Sequence, residues 1–254
     1  MPRYFIELAY KGTAYNGFQV QDNADTIQGV LQKALAILFR EEMALTGSSR
    51  TDAGVHARQN YFHFDTDLII SSQAVYNLNA LLPADIAVKG IFPVPATAHC
   101  RFDAVSRSYR YLIYRRKDPF LVETGWQYGF PVDFSALQSA AAVVQAHTDF
   151  TSFAKRNSQV HTFNCTIQHS GWQQDGDQLL YTVTANRFLR GMVRGLVATM
   201  LKVGRGQMTV ADFKAVLVAK DNQLADFSAP PQGLYLERVQ FEGELAESIQ
   251  MDGK

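Results

Sequence analysis

The chain has 254 residues, 47% hydrophobic and 19% charged, with 24 basic side chains against 24 acidic ones. Such a length holds one large or two small domains around a sizeable core, and the composition is that of a folded globular protein. No apolar run approaches ~20 residues, so no membrane span is expected. Met1-Pro-Arg-Tyr-Phe-Ile-Glu-Leu8 lacks the charged-then-apolar layout of a signal peptide.

Arg3 to Tyr10 alternates and is rich in strand formers. Asp25-Thr-Ile-Gln28 supplies an Asx cap with Gln28 at the capping-box position. Ile27, Val30, Leu31, Ala34, Leu35, Leu38 and Phe39 then recur on one helical face. Gln59 to Phe64 predicts a strand directly after the turn at Asp52, Ser72 to Leu82 a helix stopped by Pro83, and Ile86 to Phe92 another strand. A second round resembles the first. Ser108 to Arg115 alternates as a strand, and Phe134 to Ala146 is an alanine-rich helix. Phe163–His169 and Leu179–Thr184 read as strands paired around the turn signal Asp175-Gly-Asp177. Leu189 to Leu201 carries a helical apolar stripe, with Arg190 and Arg194 four apart along its edge. A short helix from Thr209 to Lys220 and a strand from Leu234 to Phe241 follow. The pattern predicts two α+β halves, residues 1–104 and 105–246, with a tail over 247–254.

Cys100 and Cys165 have no metal-ligand spacing and are expected as buried, reduced thiols of a cytoplasmic protein. The net charge of zero argues against a polyanionic partner, yet its distribution argues for one. Arg101 to Lys117 holds six bases (Arg107 and Arg110 among them) against Asp103, interleaved with Tyr109, Tyr111 and Tyr114. Arg187 to Arg205 holds five bases, including Arg190 and Arg194, and no acid. Clustered bases suit phosphate binding whatever the total.

Gly47-Ser-Ser-Arg-Thr-Asp-Ala-Gly-Val-His-Ala57 sets Asp52 on a turn near Arg50, with His56 four residues on. Three readings are open: a structural Asx-turn with an incidental ion pair, a metal ligand, or a nucleophile or base kept ionised by Arg50. The second lacks the Cys or His partners that the zinc base deaminases need. His56 by itself reads as a structural histidine or a catalytic one.

Arg50-Thr-Asp-Ala-Gly-Val-His-Ala57 resembles the signature of the TruA family of tRNA pseudouridine synthases. The resemblance continues through Tyr10-Lys-Gly-Thr-Ala-Tyr-Asn-Gly-Phe-Gln19, Asn79-Ala-Leu-Leu-Pro-Ala-Asp-Ile86 and His99-Cys-Arg-Phe-Asp-Ala104. It recurs in Ser108-Tyr-Arg-Tyr-Leu-Ile-Tyr114, Phe188-Leu-Arg-Gly-Met-Val-Arg194 and Gly233-Leu-Tyr-Leu236. It implies that Asp52 is the catalytic nucleophile, that Tyr109 stacks on the target base, and that Arg50 and Arg194 belong to the same pocket. Arg101, Arg107, Arg110, Arg187 and Arg190 are then expected to contact RNA backbone. The implied reaction isomerises uridine to pseudouridine at positions 38, 39 and 40 of the tRNA anticodon stem-loop, without metal or organic cofactor. The implied protein is a homodimer. The implied fold is two ferredoxin-like halves forming a continuous, mainly antiparallel sheet, with helices on one side and a central active cleft. A carboxylate there would attack C1′, add to C6 or remove the C2′ proton, and the sequence does not choose among these. Ser49, where the family carries glycine, Lys11 in place of an acid and Phe18 in place of tryptophan depart from the pattern; serine at position 49 would be strained if φ were positive.

Overall fold

The computed structural model describes residues 1–155 and 160–251. In chain order the elements are β1 (Arg3–Tyr10), α1 (Ile27–Phe39), β2 (Thr46–Gly47), β3 (His56–Asp65), α2 (Ala74–Leu81), β4 (Ile86–Val94) and β5 (Ser106–Tyr114). There follow β6 (Trp126–Gln127), α3 (Phe134–Gln145), β7 (Ile167–Asp175), β8 (Gln178–Ala185), α4 (Met192–Gly204), α5 (Val210–Ala219), β9 (Leu234–Gln240) and α6 (Gly243–Met251). Among the described residues, six helices and mostly antiparallel pairing give a mixed α/β architecture; the short β5–β6 pair is parallel.

The chain divides into two compact units, Met1–Val105 with the segment from Leu236 onward, and Ser106–Tyr235. In the first, the strand order is β4-β1-β3-β9, with β2 on β3. Phe5, Ile6 and Leu8 of the inner strand β1 are fully buried, and Phe5 meets Tyr61, His63 and Phe241. The β1–β3 register runs from Arg3↔Asp65 to Leu8↔Asn60 and then slips to Tyr10↔Ala57. An extra β3 residue is thus accommodated beside the Asp52 turn, and such bulges re-aim the chain next to functional sites.

In the second unit, β5 pairs β8 and β8 pairs β7, the latter two closing a hairpin at Gly176, whose φ is +53°. Helix α3 packs on β7 and α4. Almost every side chain of α4 is buried, Arg194 and Lys202 being half-exposed. A helix apolar all round is a core helix, so the one-sided stripe expected over 189–201 understates its burial.

Several boundaries differ from expectation for local reasons. Thr26, not Asp25, caps α1, its hydroxyl accepting from Gly29 N–H at 3.2 Å. Gln28 instead accepts from Val20 N–H and donates to the Leu45 carbonyl. The capping box is at α5, between Thr209 and Asp212. Strand β3 starts three residues before Gln59 and takes in His56. Strand β7 starts at Ile167 rather than Phe163, because Asn164 forms only an isolated bridge with Asp149. Helix α4 starts at Met192, after Gly191 with φ +76°, so Arg190 lies outside the helix that carries Arg194. Helix α6 reaches Met251 through most of the expected tail, of which residues 252–254 lie outside the described residues. Both cysteines are buried and neither forms a disulfide; burial pushes the Cys165 thiol up to about 11. No described helix is long and apolar enough to cross a membrane.

Candidate active site

The Asp52 turn is held through its backbone. Strand β2 pairs Thr46 and Gly47 with His63 and Phe62, Ser48 N–H donates to the Tyr61 carbonyl at 2.8 Å, and the chain then runs back along β3. Asn60, fully buried, donates through Nδ2 to the Ser49 carbonyl at 2.8 Å and to the Tyr10 hydroxyl at 3.2 Å. The Tyr10 hydroxyl shares a 2.8 Å hydrogen bond with Thr51 Oγ1, and Phe18 N–H donates to the Thr51 carbonyl at 3.1 Å. Val55 N–H closes the turn onto the Asp52 carbonyl at 3.1 Å, with Gly54 at φ +76°. That conformation needs glycine.

The Gly12–Phe18 segment is the other wall. A Cβ on Gly12 would lie 2.0 Å from the Val55 carbonyl oxygen, so only glycine lets the segment reach the turn. Gly12 N–H donates to His56 Nδ1 at 3.0 Å, and His56 is buried. Its Nδ1 is therefore an acceptor, and His56 serves as a structural residue joining β3 to this segment. Tyr15 donates its hydroxyl to Asp85 Oδ1 at 2.6 Å, and burial followed by that bond holds its proton on beyond the usual phenol range. Ser49 does not have the positive φ that would strain it, though its buried hydroxyl and that of Ser48 have no hydrogen-bond partner among the described residues.

Asp52 itself is half-buried at the tip of this clamp, and Arg50 is exposed. Arg50 lines a shallow pocket of about 230 Å³ with Phe18, Thr46, His99, Arg101 and Phe102. The bonds to the Ser49 carbonyl, to Thr51 and to the Asp52 carbonyl fix the backbone from which the carboxylate projects. Phe18, one of the departures from the family pattern, is core: it stacks on Phe62 with ring centroids 4.4 Å apart and covers Gly47.

In the second unit, Tyr109 is a half-buried ring on β5, opposite Val183 of β8, with Phe188 edge-on at 4.9 Å. Two residues along the same face, Tyr111 is fully buried and donates to the Pro230 carbonyl at 2.7 Å; burial raises its pKa, against the opposing effect of Arg194. Arg194 sits in the first turn of α4 and donates through Nε to the Ala229 carbonyl at 2.6 Å. That loop is itself pinned. Asp226 N–H donates to Thr199 Oγ1, Asp226 pairs with Lys202 at 3.1 Å, and Ser228 N–H donates to the Asp226 carboxylate. No residue pattern announces this loop's role, because its partners on α4 lie some thirty residues upstream and Ala229 acts through its carbonyl.

The basic clusters are partly spent on the protein. Arg107 donates to the Asn186 carbonyl, Arg110 stacks over Tyr235 at 4.5 Å, and Arg116 pairs with Asp177 at 3.0 Å. Lys202 meets Asp226, and Arg205 lies 3.9 Å over the Phe130 ring. The stretch 187–205 lacks acids in sequence but not in space. Arg101 and Arg190 are exposed, and Arg187 is half-exposed.

Comparison with known proteins gives this geometry a context. A family model described as tRNA pseudouridine synthase matches residues 8–103 and 140–242. The chain is 46% identical over 250 residues to "tRNA pseudouridine synthase A" of Parabacteroides distasonis, covering 96% of this chain and 98% of that protein. It is 41% identical over 251 residues to the protein of the same name from Porphyromonas gingivalis, covering 96% and 99%. With the one from Staphylococcus aureus strain MRSA252 it shares 38% over 256 residues, covering 99% and 97%.

Proposed function

The chain belongs to the tRNA pseudouridine synthase family, and from that premise we propose that it isomerises uridine to pseudouridine in the anticodon stem-loop of tRNA, at positions 38, 39 and 40, with Asp52 as nucleophile. The observation that carries the assignment is the clamp on the Asp52 turn: backbone and buried side-chain hydrogen bonds fix the turn on both sides of Asp52, which stands half-buried at its tip. A turn that served only to reverse the chain would not need its acid presented in this way.

The reaction breaks the C1′–N1 bond, turns the uracil over and forms a C1′–C5 bond; the C5 hydrogen leaves as a proton and N1 ends protonated, so the step needs no oxidant or reductant. A target base must leave its stack to be reached, and an aromatic ring replaces the lost stacking. Tyr109, braced by Phe188, supplies that ring and stands as acceptor for the C5 proton. Asp52 attacks C1′ as N1 leaves, or C6 of the uracil, and the bond it forms breaks again as C5 is joined to C1′ and the carboxylate is released. Arg194, fixed by the Ala229 carbonyl through one nitrogen, keeps its other donors for the developing negative charge, and Arg50, exposed on the Asp52 turn, adds positive potential. Arg101, Arg187 and Arg190 supply phosphate contacts that position RNA without reading its bases, and Arg107 and Arg110, the first bonded to the Asn186 carbonyl and the second over the Tyr235 ring, add their charge to the same field. In the same reading each unit is a ferredoxin-like half, no metal or organic cofactor takes part, and the enzyme works in the cytoplasm as a homodimer, for which light scattering should give about twice the 28.4 kDa chain mass.

The deciding experiment is Asp52→Asn, with melting temperature, tRNA affinity and single-turnover rate measured on the same preparation. The amide keeps the shape of the turn and removes the nucleophile. Loss of turnover with affinity within a few-fold of wild type is expected. Lowered stability with near-normal turnover per folded molecule would make Asp52 a structural Asx residue instead.

A further inference from the structure

The shallow pocket beside the turn is not explained by holding Asp52. Its outer wall is the segment His99–Asp103, which folds into a self-capped turn. His99 Nδ1 accepts from both Arg101 N–H at 3.1 Å and Phe102 N–H at 3.3 Å. Asp103 N–H donates to the His99 carbonyl at 3.0 Å, and His99 N–H donates to the Asp103 carboxylate at 2.7 Å. Four local hydrogen bonds thus fix the two residues whose side chains project outward, Arg101 and Phe102.

Beneath them lies a column of rings. Phe102 packs on His99 with centroids 4.1 Å apart, and His99 packs edge-on against His63 at 4.6 Å. His63 is buried, and its Nδ1 accepts from Cys100 N–H at 3.3 Å. The base of the column is therefore anchored in the core, while its top ring is 73% exposed. An exposed phenylalanine on a rigid mount, beside arginines, is the arrangement by which proteins stack unpaired bases along an RNA backbone.

Charge and size narrow the occupant. Arg50 and Arg101 line the pocket and no acidic residue does. A second cavity in this unit, about 270 Å³, is lined by Asp103, Glu242 and Glu244 among others and would repel a polyanion. At about 230 Å³ the basic pocket is smaller than the roughly 300–1,000 Å³ of sites for larger ligands. Arg50 is two residues from Asp52, so at most roughly 7 Å separates their backbones, and the pocket borders the turn that carries Asp52. Resting on the function proposed above, we propose that this pocket takes one unpaired nucleotide adjacent to the target uridine, its base stacked on Phe102 and its phosphate against Arg50 and Arg101.

The test uses the full-length protein and a synthetic anticodon stem-loop RNA carrying 2-aminopurine immediately 5′ or 3′ of the target uridine. Wild-type protein should quench one of the two probes on binding. Phe102→Ala should abolish that quench and weaken binding roughly 5- to 150-fold, the range for loss of one base–aromatic stack, while Phe102→Tyr restores both. An RNA abasic at the quenched position should bind wild type and Phe102→Ala equally. Ile69→Ala, which trims an exposed side chain elsewhere on the unit, should match wild type. Quenching at neither position, or an equal loss of affinity for intact and abasic RNA, overturns the proposal. Should wild type form pseudouridine yet quench neither probe, the pocket assignment fails alone. Should it quench one probe yet form no pseudouridine, the reaction fails and the nucleotide site stands.

Discussion

The two units hold their key side chains by different physics. Asp52 stands on a short turn with no helix or long strand of its own, and its position comes from hydrogen bonds reaching it from β1, β3 and the Gly12–Phe18 segment. Arg194 stands on a helix buried nearly all round, where Gly195 lies against Phe227 and Phe153, and Gly204 against Leu137. Packing sets the axis of α4, and one hydrogen bond to Ala229 then orients the guanidinium. Hydrogen bonds are directional and hold a point, whereas packing is non-directional and holds a face. A carboxylate that must meet one atom is suited to the first, and a cation answering diffuse charge is suited to the second.

The largest effect that comparison allows is at the point itself. Asp52→Asn should cost about 10²–10⁴ in single-turnover rate with little change in melting temperature. Next comes the clamp. Asn60→Leu removes the donor to Ser49 and Tyr10 inside a fully buried site, and should lower stability by roughly 2–3 kcal/mol in urea unfolding. If the turn depends on directed bonds, turnover per folded molecule should drop as well. The matching change in the second unit is Thr199→Val, which leaves Asp226 N–H without its acceptor and should cost roughly 1–2 kcal/mol. Because α4 is held by packing, turnover should fall less there than in Asn60→Leu. The reverse order would break the comparison.

A smaller effect sharpens it through pH. Burial first, and then the Arg3 charge and His99, press the His63 pKa down to about 4, against weaker opposition from Asp65 and Asp103. The folded state therefore binds fewer protons than the unfolded chain between the ordinary histidine pKa of about 6.5 and about 4. Stability is fully present above the upper value and is lost as pH falls through that window. Urea midpoints of wild type and His63→Gln should converge as pH falls from 7 toward 4. The smallest effect is Arg116→Ala, which breaks an exposed pair with Asp177 and should change stability by less than about 0.5 kcal/mol. It should leave the salt dependence of tRNA binding nearly unchanged, since a paired arginine is not available for phosphate.

The amino-acid sequence by itself determined the alternation of β1 and β5, the strands β4 and β8, the apolar periodicity of α1, the alanine-rich helix α3, and the stop at Pro83. Each of these is written in neighbouring residues and follows from backbone sterics and burial. It also placed Asp52 on a turn, through Ala53-Gly54, and carried the family signature around it. Tertiary structure decided what local pattern cannot encode. Thr26 displaced Asp25 as the cap because Gln28 was drawn to Val20 and Leu45. His56 became structural because Gly12, forty-four residues away, offered it an N–H. Lys202 lost its apparent freedom to Asp226, and Arg194 gained its orientation from Ala229. The exposed Phe102 acquired a rigid mount because His63 and Cys100 meet in the core beneath it. In each case the partner is distant in sequence, and its contribution is a carbonyl, an amide or a ring face that no residue spacing announces.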